Sequence, residues 1–254
     1  MSRGWARALC ALAMTMAAGV ALAPEAGAAT NGPILFTTYD DIYSVRADGT
    51  GLKRISNLDV RNIAAAPDGK RFVATDGSLK LLKISGGKPK DLLKRYPTVR
   101  NLANTTWATW APNGKQIAFI GENDQRTYLI KPNGKGLKYL FPKSRTGQAV
   151  PRWSPNGREI AFIDHADDSS LKIVDVKTRQ ERLVYSGLDP RAGTPVDFDF
   201  SPSGDQIAFY APYRNWVINT DGTGLRQISP DAAFVSYEGL SWAPDGSQIV
   251  GESS

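Results

Sequence analysis

The chain has 254 residues, 41% of them hydrophobic, and a formal net charge of +6 from 31 Lys and Arg against 25 Asp and Glu. This length supports one domain with a substantial core, and the basic residues are scattered without a run of four, which argues against a nucleic-acid-binding face. One histidine and one cysteine are too few for a zinc or other transition-metal centre of the usual ligand count.

The first predicted element is a targeting segment. Arg3 and Arg7 precede an uncharged stretch from Ala8 to Ala23, and the small-residue triplet Ala26-Gly27-Ala28 follows. These are the three parts of a secretory signal peptide. Residues 1–28 are therefore expected to be removed, leaving 29–254 as an exported domain in the periplasm or outside the cell. The apolar stretch is sixteen residues long, short of the roughly twenty that a membrane span needs, so no stable span is expected after cleavage. Cys10 would leave with the signal, and with it any disulfide or cysteine chemistry.

From Ile34 onward, short apolar runs bounded by Gly, Pro and Asn predict antiparallel strands. Five Pro-x-Gly turns punctuate them: Pro67-Asp68-Gly69, Pro112-Asn113-Gly114, Pro155-Asn156-Gly157, Pro202-Ser203-Gly204 and Pro244-Asp245-Gly246, at intervals of 45, 43, 47 and 42 residues. Such a period signals stacked copies of one unit. Phe72-Val73-Ala74, Ile117-Ala118-Phe119, Ile160-Ala161-Phe162 and Ile207-Ala208-Phe209 follow the first four turns, and Ile249-Val250 the fifth. Proline presets one turn dihedral and glycine supplies positive φ, so these turn residues are read as structural. Two positions before each turn proline stand Ala65, Trp110, Trp153, Phe200 and Trp242, rings expected to fill space between sheets. A second turn type, at Asp48-Gly49, Asn133-Gly134 and Asp221-Gly222, closes hairpins. The predicted unit is a four-stranded meander, clearest at Thr106 to Ala111, Gln116 to Gly121, Thr127 to Lys131 and Gly136 to Leu140.

Four-stranded units arranged radially make an all-β propeller, which protects its strand edges. The words W-[AS]-P-[DN]-G-x-x-I-A-F and D-G-T-G-L-[KR]-x-I-S resemble the TolB-type (WD40-like) propeller repeat, over essentially the whole chain after the signal. The resemblance implies a non-catalytic scaffold for another envelope or secreted protein or peptide. It also implies the ring without TolB's N-terminal α/β domain, for which there is no room. Ile34 to Ser56 supplies the last three strands of a blade and Gly239 to Ser254 the first two of another. Either the ring has five blades, closed by pairing Leu240 to Ala243 with the N-terminal strands, or it has six and is incomplete.

In such a meander, the first and third turns of each blade share one face. The second turn and the connection to the next blade share the other. That irregular face collects Arg126, Arg145, Arg191, Arg214 and Tyr213, with Arg95, Arg100, Tyr96 and Tyr237, residue types favoured at protein interfaces. Asp164, Asp167 and Asp168, beside His165, could hold a hard cation through oxygen ligands, although the ordered spacing of a calcium loop is missing. Asp197 and Asp199 flank Phe198 in a predicted inner strand and share one side of it, facing the channel, where they could serve acid–base chemistry or a cation. No G-x-S-x-G nucleophile elbow occurs. The leading reading is a binding scaffold with no cofactor. The alternatives are a propeller lyase or hydrolase acting on an anionic polysaccharide through the channel carboxylates, and a truncated propeller fragment with open edges.

Overall fold

The computed structural model describes residues 32–38, 41–60, 62–102, 105–121, 124–142, 146–189, 191–212, 214–229 and 240–250. The expected signal peptide, Arg145, Tyr213 and Tyr237 lie outside these residues.

The described strands fall into six antiparallel sheets in chain order. The first holds β1 (Ile34–Thr37), β2 (Ile42–Val45) and β3 (Lys53–Ser56). The second holds β4 (Asn62–Ala65), β5 (Arg71–Thr75), β6 (Leu79–Lys83) and β7 (Lys90–Asp91). In the third are β8 (Thr105–Trp110), β9 (Ile117–Gly121), β10 (Arg126–Ile130) and β11 (Lys138–Tyr139). The fourth comprises β12 (Gln148–Trp153), β13 (Glu159–Asp164), β14 (Ser170–Asp175) and β15 (Glu181–Tyr185). The fifth comprises β16 (Asp197–Phe200), β17 (Gln206–Ala211), β18 (Arg214–Asn219) and β19 (Arg226–Gln227). The last pairs β20 (Ser241–Trp242) with β21 (Ile249–Val250).

Each central sheet is thus a four-stranded meander, as a propeller blade requires. The ladder that would close a five-bladed ring is not among the described pairings, because β20 bonds β21 rather than a strand of the first sheet.

Alternation along the second strand of each sheet explains the Ile-Ala-Phe words. Side chains of a strand point alternately to its two faces. Ile117 and Phe119 pack toward the second sheet, while Ala118 faces the fourth. Ile160 and Phe162 likewise face the third sheet and Ala161 the fifth. Ile207 and Phe209 face the fourth and Ala208 the sixth. The small alanine leaves space for the ring two positions before the next turn proline. Trp153 joins Ala118, and Phe200 joins Ala161. Trp110 adds a hydrogen bond, its indole Nε1–H donating to Ala64 O of the preceding sheet at 3.0 Å. Each joint between successive sheets has its own apolar cluster among the described residues.

The turns contribute to the same joints. At Gly157 a Cβ would stand 3.5 Å from Pro112 Cδ, at Gly204 3.4 Å from Pro155 Cδ and at Gly246 3.8 Å from Pro202 Cδ, so the last three Pro-x-Gly turns each rest on the proline of the turn before. A cation on the outermost strand of one sheet also bonds a hairpin carbonyl of the next. Lys53 Nζ donates to Ser85 O at 2.8 Å, Lys90 Nζ to Asn133 O at 3.1 Å and Arg182 Nε to Thr220 O at 3.2 Å.

One expected loop is partly helical. α1 (Pro97–Leu102) begins on a proline, whose missing N–H has no intrahelical partner at a first helical position. Tyr96 and Val99 pack into the cluster between the second and third sheets. Tyr96 is therefore not a free member of the loop face: its hydroxyl accepts the Leu137 amide at 3.5 Å.

Candidate functional site on the inner strands and the loop face

Strands β4, β8, β12, β16 and β20 run side by side as the first strands of successive sheets. Two of them, β12 and β16, carry charged side chains, and β20 bonds to one of these. In β12 a bulge between Ala149 and Arg152 accommodates Pro151, which cannot donate to a ladder, and Val150 takes φ 49° there. Past the bulge, Arg152 Nη2 reaches Asp197 Oδ1 in β16 at 3.3 Å, with the Asp197 side chain 7% exposed. Asp197 Oδ1 also accepts the Phe198 amide at 2.8 Å.

Asp199, on the same side of β16, turns to the next sheet. It accepts the Trp242 amide at 3.3 Å and the Ser241 hydroxyl at 3.4 Å. The expected channel carboxylates therefore share a side of the strand, and each is bonded to a neighbouring sheet. They join β12, β16 and β20 through one ion pair and two hydrogen bonds.

Burial raises the Asp199 carboxyl above its ordinary 3.8, against smaller opposing effects from Arg152, the Trp242 and Phe200 amides and the Ser241 hydroxyl. A carboxyl raised on folding favours the protonated native state. Its contribution to stability is fully present below the unfolded value and is lost as pH rises through the folded one. Asp199→Asn keeps an acceptor oxygen and removes the buried charge. We expect its melting temperature at pH 7 to equal or exceed that of the parent, with a flatter profile from about pH 4 to pH 7. A clear fall at pH 7 would mean that attraction to Arg152 outweighs the cost of burial.

Two of the three expected acidic ligands are arranged around a lysine. Lys172 Nζ bonds Asp164 Oδ2 at 3.1 Å and pairs with Asp167. Burial works against its charge, but the Asp167 and Asp164 carboxylates outweigh that, so its pKa lies above the usual lysine value. The ammonium stands where a cation between Asp164 and Asp167 would sit. Asp168, at φ 50°, is exposed on the adjoining turn. No group of three or more His, Cys, Asp or Glu among the described residues is placed to hold a metal ion.

The described arginines of the loop face share an end of the blades without forming a cluster. Arg126 and Arg214 open the third strands of the third and fifth sheets. Arg126 lies 5.6 Å over the Tyr139 ring and 3.8 Å from Asp124, and Arg214 Nη1 donates to Gln227 Oε1 at 3.2 Å. Arg191 lies on the connection from the fourth sheet to the fifth. It grips Asp189 through Nε at 3.0 and 3.1 Å and Nη2 at 2.6 Å, yet stays 65% exposed. Beside it is a residue the sequence reading passed over, Leu188, 69% exposed. Its signal was a large apolar side chain next to Asp189 in the connection between repeats.

No protein-family profile matches the chain, and no curated protein matches it by sequence. Solved structures do. A candidate TolB from Agrobacterium tumefaciens superposes with TM-score 0.67 at 17% identity, over 83% of this chain and 76% of that one. TolB from Acinetobacter baumannii gives 0.64 at 16%, over 82% of this chain and 53% of that one, about half its length. A chain of a nidogen/laminin complex gives 0.64 at 14%, over 79% of each chain. Hydrazine synthase of Kuenenia stuttgartiensis, an enzyme, gives 0.62 at 13%, over 87% of this chain and 70% of that one. At these identities the likeness is one of fold, and it coincides with the repeat words and the meander sheets: by fold, this chain is a TolB-like β-propeller.

Proposed function

We propose that the chain is an exported, non-catalytic propeller that binds a partner protein or peptide of the cell envelope or exterior. The binding face is the one formed by the second turns and the connections between sheets. One observation carries this reading: Leu188 and Arg191 stand exposed together, at 69% and 65%, on a connection anchored by Tyr185 and Asp189. The Tyr185 hydroxyl donates to Asp189 O at 3.3 Å. A guanidinium held in a fixed fork is a residue type that interface hot spots favour, and the exposed leucine beside it offers apolar area for a partner to cover. Arg126 and Arg214 stand at the same end of the blades, each braced within its own sheet. The N-terminal signal pattern supports export, and no helix among the described residues is long and apolar enough to cross a membrane. Asp197 and Asp199 are read as fasteners between inner strands, since their oxygens are bonded to neighbouring sheets.

A photo-reactive residue at Leu188 is expected to crosslink one envelope or secreted protein. The double variant Leu188→Asp/Arg191→Glu should weaken that complex by about tenfold or more, with an unchanged melting temperature. Equal capture by the double variant, or crosslinks only from the Pro-x-Gly end, would overturn the assignment of this face.

A further inference from the structure

At the opposite end of the blades, a cleft of about 600 Å³ opens at the joint between the second and third sheets. Its walls include Arg71, Leu81, Lys90, Lys115, Lys131 and Pro132, four cations and no carboxylate. The fold brings them together from separate parts of the chain. Arg71, Leu81 and Lys90 lie on three successive strands of the second sheet, with Leu81 paired to Val73 and to Lys90. Val73 belongs to the cluster facing the third sheet. From the third sheet come Lys115, just after the Pro112-Asn113-Gly114 turn, and Lys131-Pro132, at the start of the Asn133-Gly134 hairpin.

The four cations are not equally engaged. Lys90 is held by Asn133 O at 3.1 Å. Arg71 is paired with Asp68 at 2.7 Å and lies 5.5 Å over the Trp110 ring. Lys115 and Lys131 are exposed, and their ammonium groups have no partner among the described residues. Like charges held around a concave wall repel one another and raise the local potential for an anion. Leu81 and Pro132 give the same wall an apolar patch. It offers no free aromatic platform for stacking a sugar or a base, because Trp110 is only 6% exposed and covered by Arg71.

We propose that this cleft binds an acidic peptide segment of a protein partner. Carboxylates of the segment pair with Lys115, Lys131 and Arg71, and an apolar side chain between them rests on Leu81 and Pro132. The site lies away from Leu188 and Arg191 and does not depend on the loop-face interface.

The test is fluorescence anisotropy on the full chain with a labelled peptide of alternating glutamate and leucine, at low salt and at about 0.15 M salt. The matching glutamine peptide, inorganic phosphate and a polyuronate oligosaccharide serve as competitors. Acidic-peptide binding that weakens with salt is expected. Lys115→Glu/Lys131→Glu should reduce it by about tenfold or more without changing the melting temperature, as both side chains are exposed. Leu188→Asp/Arg191→Glu should leave it intact, which separates this site from the loop face. No binding, equal binding to the charge-reversed double variant, or equal displacement by phosphate or polyuronate would overturn the proposal, the last by revealing a general anion site.

Discussion

Phe209→Ala is expected to lower the unfolding free energy by about 3–5 kcal/mol, a drop in melting temperature of roughly 10 °C for a domain of this size. Phe209 is fully buried in the joint between the fourth and fifth sheets. Its ring lies 4.8 Å from that of Tyr185, across the joint. Sheets in this architecture hold together through side chains meeting face to face, so truncating the ring removes contacts from both sheets at once and leaves a cavity that rigid strands on either side cannot close. Leu183→Ala, at a position 53% exposed, should shift stability by no more than about 0.5 kcal/mol. Thermal melts of the two variants by circular dichroism decide it. Similar melting temperatures for both would show that this joint is not a principal source of stability.

The second large effect is expected at Gly187, where a single methyl group has nowhere to go. A Cβ there would overlap Asp168 O and lie 2.8 Å from Ser169 O. Both obstacles are backbone atoms, and their residues already sit at φ 50° and 54°, so neither moves aside without further strain. Gly187→Ala should therefore cost about 1–3 kcal/mol and displace the connection carrying Leu188 and Arg191. Partner capture should fall although no contacting side chain has changed. Gly32→Ala is the control, since its Cβ would meet nothing closer than Gly69 Cα at 3.9 Å and should leave both readouts unaltered. If the two variants melt alike and capture the partner alike, the approach of the 168–169 turn to Gly187 does not constrain the loop face.

The repeat was legible because its causes are local. A Pro-x-Gly turn needs only the dihedral preferences of its own residues, and strand faces follow from alternation. The third sheet accordingly runs within two residues of the strands expected from Thr106, Gln116, Thr127 and Gly136. Repetition also exposed the large-small-large word, although only packing showed why the middle residue is alanine. α1 was missed because a six-residue helix has little periodicity, and this one is fixed by Tyr96 and Val99 docking on a sheet about forty residues away in the chain.

The candidate sites were less legible. Asp197 and Asp199 were recognisable as a same-side pair from their spacing, but Arg152 and Trp242, which engage them, come from other repeats. Lys172 could not be assigned to the Asp164 loop from spacing alone, since it approaches along the neighbouring strand of the hairpin. The basic cleft was invisible, because Arg71, Lys90, Lys115 and Lys131 are single charges within ordinary turns and strands.

The sequence by itself determined the turns, the strand alternation and hence the propeller-type blade, all of which depend on interactions over a few residues. The tertiary structure alone decided which charges meet across joints, which glycine has no room for a side chain and where a cleft opens. Electrostatic and steric contacts depend on distances in space, and in a radial stack those distances are set between blades, some forty residues apart along the chain.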